Sequence, residues 1–195
     1  LRKRAYRALL KNAYASGSGT RHGRTGAEEY AKYGYVPDSF RESVNHTCDC
    51  AYGDFCIAQV ARLEGDEQEA EQLLKRSQSY RNLFDAKSGF LRGKDTDGNR
   101  KEPFDPYSWG GDYCEGSAWQ NGFSVCHDID GLASLYGGKE KLCLKLDELF
   151  SADPVFETGG YGEEIHEMSE MASVDFGQCA ISNQPSFHLP WLYAA

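Results

Sequence analysis

Apolar side chains recur every three or four residues along most of this chain, which is the period of an amphipathic α-helix. The clearest stripe consists of Ala70, Leu73, Ser77, Tyr80 and Phe84. Comparable stripes lie within residues 6–13, 125–136 and 142–149, and residues 183–193 are expected to begin a further helix. Another stripe, in residues 52–63, consists of Tyr52, Cys56, Val60 and Leu63. The pattern therefore predicts an all-α protein of about six helices.

Short and long connections alternate between these helices. Gly65-Asp66 and Gly137-Gly138 make short joints, which are typical of antiparallel neighbours. Residues 85–113 and 152–169 are long irregular stretches, and compact domains rarely keep such loops without a use for them. We expect at most a small β-hairpin, pairing residues 90–92 with 100–102 about Asp97-Gly98. Paired helices with long alternate loops are typical of a helical toroid whose loops build a site at one end.

Length and charge exclude several classes of protein. The 195 residues suit one domain with a sizeable core. A net charge of −9 argues against a nucleic-acid partner, because little in the chain would neutralise phosphates. No apolar run approaches the ~18 residues of a membrane span, and no signal peptide is visible. The helical pattern begins at the first residues and continues to the last, so we expect a piece of a longer protein.

Neither of the obvious metal-binding patterns is present. In the segment 95–99 the glycine stands fourth, whereas a calcium-binding EF-hand loop requires glycine sixth and glutamate twelfth, where this chain has Pro106. An Asp-Gly turn explains that segment better. The seven cysteines include no CxxC pair, which makes a zinc site improbable and favours free thiols, although one long-range disulfide remains an alternative.

Glu115 is the carboxylate whose neighbours suit carbohydrate chemistry best. Gly116, Trp119 and Gln120 follow it, and residues of these types are suited to a sugar-binding site, where a tryptophan ring stacks on the sugar and a glutamine amide bonds to its hydroxyls. Breaking a glycosidic bond requires a carboxylic acid that protonates the leaving oxygen. Burial among aromatic rings such as Tyr113 and Trp119 would raise the pKa of that acid. The alternative interpretation is a structural carboxylate.

Two His-acid pairs are further candidates for binding hydroxyl groups. His127-Asp128 begins the fourth stripe, and the alternative there is a helix-capping Asp beside a packed His. His166-Glu167 lies where a long loop enters a helix, and the alternative is a solvated helix start. The second pair does not continue as a zinc HExxH motif.

Asn183-Gln184 precedes a proline-started helix near the end of the chain. Amide oxygens are suitable ligands for Ca²⁺ and also bind sugar hydroxyls. Capping of the helix by Asn is the competing interpretation.

An ordered series of segments resembles glycoside hydrolase family 92, the calcium-dependent, inverting, exo-acting α-mannosidases. The likeness spans nearly the whole chain. The matching segments are residues 34–37 (GYVP), 43–59, 84–93, 97–99, 103–106, 115–120 (EGSAWQ, for the family's EGNAWQ), 127–128, 137–140, 146–150, 177–178 and 183–185. The chain departs from the family pattern at Cys48-Asp49-Cys50, Gly53, Asn121-Gly122 and Cys126.

The resemblance implies a fold and a set of roles. Residues 1–195 would form part of an (α/α)6-barrel catalytic domain, with an N-terminal β-sandwich and the rest of the barrel outside this chain. Glu115 would be the general acid, and the general-base aspartates would lie beyond Ala195. His166-Glu167 would hold the leaving mannose of an α-1,2 linkage, and Asn183 and Gln184 would lie near Ca²⁺ or the sugar.

The resemblance also implies the molecules that the parent protein meets. Its substrate would be a mannose-containing oligosaccharide, and Trp119, Gln120, His127 and Asp128 would join the second His-acid pair in contacting it. The parent would be secreted, periplasmic or on the cell surface.

Two alternatives belong to other classes. Another (α/α)6 glycosidase or lyase would carry its catalytic carboxylates elsewhere, for example at Asp54 or Asp105. A non-catalytic carbohydrate-binding or scaffold module would leave Glu115 exposed or in a structural ion pair.

Overall fold

A computed structural model describes residues 1–15 and 23–194. The chain is predominantly helical, which confirms the all-α prediction. The helices are α1 (Arg2–Tyr14), α2 (Ala27–Tyr33), α3 (Ser43–Glu64), α4 (Glu67–Arg76), α5 (Ala118–Asn121), α6 (Ile129–Tyr136), α7 (Lys139–Ser151) and α8 (His166–Val174). Shorter 3-10 helices are Ser79–Leu83, Gly159–Tyr161, Gln184–Ser186 and Leu189–Ala194, and the strands are β1 (Phe84–Asp85) and β2 (Phe90–Leu91).

The predicted joints end helices as expected. Gly65 takes a left-handed conformation (φ +80°) after α3, and Asp66 caps α4 through the backbone N–H of Glu69. Gly137, at φ +91°, ends α6 in the same way. A residue with a Cβ is disfavoured in this conformation, which is why glycine marks these helix ends.

The prediction of which side chains of α3 are buried is wrong. Tyr52 is 50% exposed and Leu63 is 72% exposed. The buried side chains are mostly small or polar, together with the apolar Val44 and Ile57. The small and polar ones are Ser43, Thr47, Cys48, Cys50, Ala51, Asp54, Ala58 and Ala61. Small residues let α1 and α4 approach α3 closely, so hydrophobicity alone did not identify the face that packs.

Two other predicted helices have a different backbone in the structure. Leu73 and Tyr80 are both fully buried, yet α4 ends at Arg76 and the chain continues as a 3-10 helix. Residues 183–193, predicted as one α-helix, form two 3-10 helices. The stripe of α7 is confirmed, because Leu142, Leu146 and Leu149 all lie in the largest apolar cluster.

The hairpin lies earlier than predicted. Phe84 pairs with Leu91 and Asp85 with Phe90, so the turn falls at residues 86–89 rather than at Asp97-Gly98. Arg92 bonds to the Asp85 carboxylate and to the Lys101 carbonyl, which fixes the following loop through side chains. The segment 95–99 is a turn, in which the Asp95 carboxylate accepts hydrogen bonds from backbone N–H groups.

A buried carboxylate joins α1, α3, α4 and the segment just before α2. Asp54 is fully buried, with the Arg24 Nη1 atom 2.5 Å from one oxygen and the Arg76 Nε atom 3.0 Å from the other. Arg76 also donates to the Ala13 carbonyl, at the end of α1. Burial raises the pKa of Asp54, although both arginines act to lower it. A Cβ at Gly53 would lie 2.8 Å from the Arg24 guanidinium, so glycine at that position makes room for the ion pair.

All seven cysteines, which lie in the described residues, are free thiols.

Replacing Asp54 by Ala should destabilise the fold by about 3–5 kcal/mol, because it leaves two arginines without their buried counter-charge. The free energy of unfolding in urea measures this. Glu148→Ala is the matched control, since Glu148 pairs with Lys145 at the surface and its loss should change the same quantity by less than about 1 kcal/mol. Equal effects of the two replacements would contradict the role given to Asp54.

Candidate active site

Glu115 lies on a tight turn just before α5 and opens into a cleft of about 480 Å³. Its backbone is left-handed, at φ +46°, which is uncommon for a residue with a side chain. The cleft is formed by α3, the Glu115 turn and the segment that follows α8. Its lining residues are Asn45, Cys48, Asp49, Tyr52, Cys114, Glu115, Asn121, Ser124, Cys126, Gln184, Pro185 and His188.

The aromatic neighbours of Glu115 in sequence point into the core rather than into this cleft. Tyr113 is 5% exposed and donates its hydroxyl to the Leu91 carbonyl at 2.8 Å. Trp119 is 6% exposed, and its ring packs edge-on against Phe90 with 4.8 Å between centroids. The expected aromatic surroundings of Glu115 are therefore not what the structure provides.

Gln120 is fully buried and its side chain bonds within the protein. Its amide oxygen accepts from the backbone N–H of Ser117 at 2.7 Å, completing a capping box at the start of α5. Its amide nitrogen donates to the Gln178 carbonyl, also at 2.7 Å. Neither Trp119 nor Gln120 lines the cleft, so their sugar-binding roles stay predictions without support from this geometry.

His127 and Asp128 lie in the arrangement that the alternative interpretation described. The Nε2 atom of His127 is 2.9 Å from the Ser77 carbonyl and donates to it. Asp128 caps α6 through the Gly131 N–H and accepts from the Tyr80 hydroxyl at 2.7 Å. Burial alone would raise the pKa of Asp128, but these hydrogen bonds hold it below its usual value. The pair lines a separate, smaller cavity of about 290 Å³.

His166 and Glu167 form the first turn of α8. The imidazole is exposed and lies between two carboxylates, 3.2 Å from that of Glu167 and 3.1 Å from that of Glu170. The opposite face of α8 buries Met168 against Trp109. The pair does not line the Glu115 cleft.

Asn183 and Gln184 do meet the Glu115 turn. Asn183 is 4% exposed, and its amide nitrogen donates to the Glu115 carbonyl at 3.0 Å. Its amide oxygen accepts from the backbone N–H of Gln184 at 2.9 Å, which is the capping role. Gln184 itself is exposed and lines the cleft beside Glu115.

These residues do not by themselves make a calcium site. Ca²⁺ takes six to eight oxygen ligands. Within residues 1–15 and 23–194 no three His, Cys, Asp or Glu side chains group closely enough to hold a metal ion. The amide oxygen of Asn183 already caps a helix, whereas the lining of the cleft includes the carboxylates of Asp49 and Glu115 and the exposed amide of Gln184.

Sequence reasoning missed Asn45, Asp49 and Tyr161 as residues of the site. Asn45, Asp49 and Tyr52 are spaced by four and three residues, which places them on one face of α3. That spacing was visible, but Tyr52 was assigned to the core. Tyr161 has no comparable signal, because only the tertiary structure brings its hydroxyl to the backbone N–H of Glu115.

Comparison with known proteins agrees with this fold. The family described as the glycosyl hydrolase family 92 catalytic domain matches residues 1–195, and the chain belongs to that family. A family 92 inverting mannosidase of Bacteroides thetaiotaomicron, BT2199, is 38% identical with a TM-score of 0.83. The match covers 99% of this chain and 26% of that one.

Two further relatives give the same picture. The family 92 α-mannosidase BT3965 of the same bacterium, in complex with mannoimidazole, is 32% identical, with a TM-score of 0.83 over 99% of this chain and 25% of its own. A protein of Arthroderma benhamiae described as an uncharacterized secreted glycosidase is 25% identical over 97% of this chain and 26% of its own length. The chain thus spans about a quarter of each relative. No helix in the described residues is long and apolar enough to cross a membrane.

Proposed function

We propose that this chain is the acid-bearing segment of an exo-acting, inverting α-mannosidase that removes terminal mannose from glycans. Family membership and the mannosidases among its structural relatives support the reaction class. The observation that carries the assignment within the chain is Glu115, half-buried on a turn that opens into a cleft. Residues 1–195 are then part of the catalytic barrel, completed by the rest of the parent protein.

In this proposal the carboxyl group of Glu115 gives its proton to the glycosidic oxygen. The bond between that oxygen and C1 of mannose breaks, and its electron pair stays on the leaving oxygen. Water attacks C1 from the opposite face and loses a proton to a carboxylate that the rest of the parent supplies. Inversion at C1 follows from this single displacement.

The competing functions fit less well. Asp54 is fully buried between two arginines, and so it lacks the access to substrate that a catalytic acid requires. Asp105 accepts a hydrogen bond from the backbone N–H of Tyr107 and lines a different cavity. A non-catalytic module would leave Glu115 exposed or in a structural ion pair. Glu115 is half-buried, and no ion pair is found for it in the described part of the chain.

The location of the parent is part of the same proposal. A secreted, periplasmic or cell-surface enzyme would meet mannose-containing glycans directly. The Arthroderma relative, described as secreted, supports this placement.

Glu115→Gln in the full-length parent removes the proton and keeps the shape of the side chain. Hydrolysis of mannosides with poor leaving groups should fall by about 10²–10⁴-fold, because those substrates need the acid. Aryl mannosides with activated leaving groups should lose much less. Comparable losses of kcat/KM on the two substrate classes would contradict the acid role.

We further propose that the parent depends on Ca²⁺, with Gln184 near the ion and most of the ligands supplied from outside this chain. A bound Ca²⁺ would supply positive charge that binds and orients sugar hydroxyls. No three His, Cys, Asp or Glu side chains of the described residues group closely enough to hold the ion, which is why most ligands are assigned to the rest of the parent.

Treating the full-length parent with excess chelator should abolish its activity, and adding back Ca²⁺ should restore it. The rate on mannosides, measured at each stage, tests this. Addition of Mg²⁺ is the control, since Mg²⁺ demands a smaller octahedral shell and should not replace Ca²⁺. Full activity in the chelator would rule the dependence out.

The linkage preference is proposed to be α-1,2, with His166 and Glu167 binding hydroxyls of the second sugar. The exposed imidazole and its neighbouring carboxylate offer a donor and an acceptor side by side. Tyr161 connects this pair to the Glu115 cleft. It lies just before α8, and its hydroxyl accepts a hydrogen bond from the backbone N–H of Glu115.

Double replacement of His166 and Glu167 by Ala should reduce kcat/KM for α-1,2-mannobiose more than for the α-1,3 and α-1,6 isomers. Lost positioning lowers rate as well as affinity. Ser173→Ala is a control on the same helix, because its hydroxyl bonds only locally, to the Ser169 carbonyl. Proportional losses on all three isomers would show that the pair does not recognise the linkage.

A further inference from the structure

The backbone that carries Glu115 is held by side chains rather than by other backbone groups. The N–H of Cys114 donates to the Asn45 side chain at 2.9 Å, and its carbonyl accepts from Asn121 at 3.2 Å. The N–H of Glu115 donates to the Tyr161 hydroxyl at 2.9 Å, and its carbonyl accepts from Asn183 at 3.0 Å. All four polar backbone groups of this dipeptide are therefore satisfied. We call the four side chains, Asn45, Asn121, Tyr161 and Asn183, the side-chain clamp.

The members of the clamp come from four separate parts of the chain. Asn45 lies on α3, Asn121 ends α5, Tyr161 ends a 3-10 helix, and Asn183 caps the 3-10 helix that follows α8. Two members also support each other, since the Asn45 amide nitrogen donates to the Asn121 amide oxygen at 2.7 Å. The clamp therefore forms only when these separate segments pack together.

The backbone held in this way is strained. Glu115 has φ +46°, a left-handed conformation in which a Cβ crowds the following carbonyl. Such conformations persist only where the surroundings fix them. The clamp bonds to both sides of the Glu115 α-carbon, through the N–H and the carbonyl, and so it fixes the direction in which the carboxyl side chain leaves the backbone.

The placement of Tyr161 is itself determined by close backbone packing. The segment before it docks on residues 107–111, where the N–H of Gly160 donates to the Trp109 carbonyl at 2.7 Å. A Cβ on Gly160 would lie 2.4 Å from the backbone nitrogen of Gly111. A Cβ on Gly110 would lie 3.0 Å from the Tyr161 ring. Glycine at both positions lets the ring reach the Glu115 turn.

We propose that Tyr161 and Asn183 are positioning residues that hold the Glu115 carboxyl where it protonates the glycosidic oxygen. The proposal rests on the acid role of Glu115 given above. The proposal gives Asn183 a role other than binding metal or sugar. Both polar atoms of its side chain already bond to backbone groups, those of Glu115 and Gln184. Proton transfer to a leaving group is sensitive to small displacements of the acid, by up to about 10²-fold for ~1 Å.

The test uses two nearly isosteric replacements in the full-length parent. Tyr161→Phe removes the acceptor for the Glu115 N–H and keeps the ring. Asn183→Asp keeps the oxygen that caps Gln184 and replaces the donor to the Glu115 carbonyl by an acceptor. The readout is the ratio of kcat/KM for activated aryl mannosides to kcat/KM for mannobiose. This ratio is independent of the amount of folded enzyme, because both rates come from the same preparation.

We expect both replacements to raise this ratio, by up to about 10²-fold, as mannobiose loses more than the activated substrate. The matched controls remove the same chemical groups elsewhere. Tyr136→Phe deletes a hydroxyl that donates to the Gly89 carbonyl, and Asn82→Asp deletes an amide donor to the Gly34 carbonyl. Both controls should keep the wild-type ratio.

The outcomes separate the two proposals. If Glu115→Gln raises the ratio and the two clamp variants keep it at the wild-type value, the positioning role is wrong and the acid role stands. If Glu115→Gln leaves the ratio unchanged, the acid role is wrong and the positioning role falls with it. A rise in the control variants equal to that in the clamp variants would also overturn the positioning role.

Discussion

The ion pair of the buried Asp54 with Arg24 and Arg76 determines how the first half of the chain is assembled. An uncompensated charge in that position would be strongly unfavourable, so α4, which carries Arg76, and the segment before α2, which carries Arg24, are held against α3. Arg76 extends the same network to the end of α1 and lies over the rings of Tyr14 and Tyr30. With one face of α3 fixed by this network, a different face is left to line the cleft through Asn45, Asp49 and Tyr52.

The second half of the chain uses a different device. In the part of the chain that the structure describes, these long loops have no extended β-ladder, and buried amide side chains take the place of backbone partners. Gln120 joins the start of α5 to Gln178, and the Gln178 amide nitrogen in turn donates to the carbonyls of Asp153 and Val155. Buried polar groups are costly unless they are bonded, and this arrangement satisfies loop backbone that would otherwise be unpaired. The Glu115 turn is the most complete example.

Under the proposed function, the chain would contribute one side of an active site. The carboxyl of Glu115 opens into the cleft, with Asp49 and Gln184 among the polar side chains that line it. A single carboxylic acid can protonate a leaving group, whereas inversion also requires a second carboxylate on the opposite face of the sugar. The relatives are about four times as long as this chain. The proposal assigns the second carboxylate to such additional sequence.

The sequence by itself determined the fold class, the helix-ending glycines, the stripes of α4 and α7, the family and the candidate acid. These features are local in sequence, since the hydrophobic period, the capping residues and the order of motifs can all be identified from neighbouring residues. The tertiary structure alone decided which face of α3 is buried, because alanine, cysteine and a paired aspartate pack there beside Val44 and Ile57, while the larger Tyr52 and Leu63 stay exposed. It also decided that Trp119 and Gln120 lie in the core while Tyr161 and Asn183 reach Glu115. Tyr161 is 46 positions from Glu115 in the sequence, and Asn183 is 68 positions from it. Hydrogen bonds across such separations leave no periodic signal, and only the folded chain brings those groups within 3.0 Å of each other.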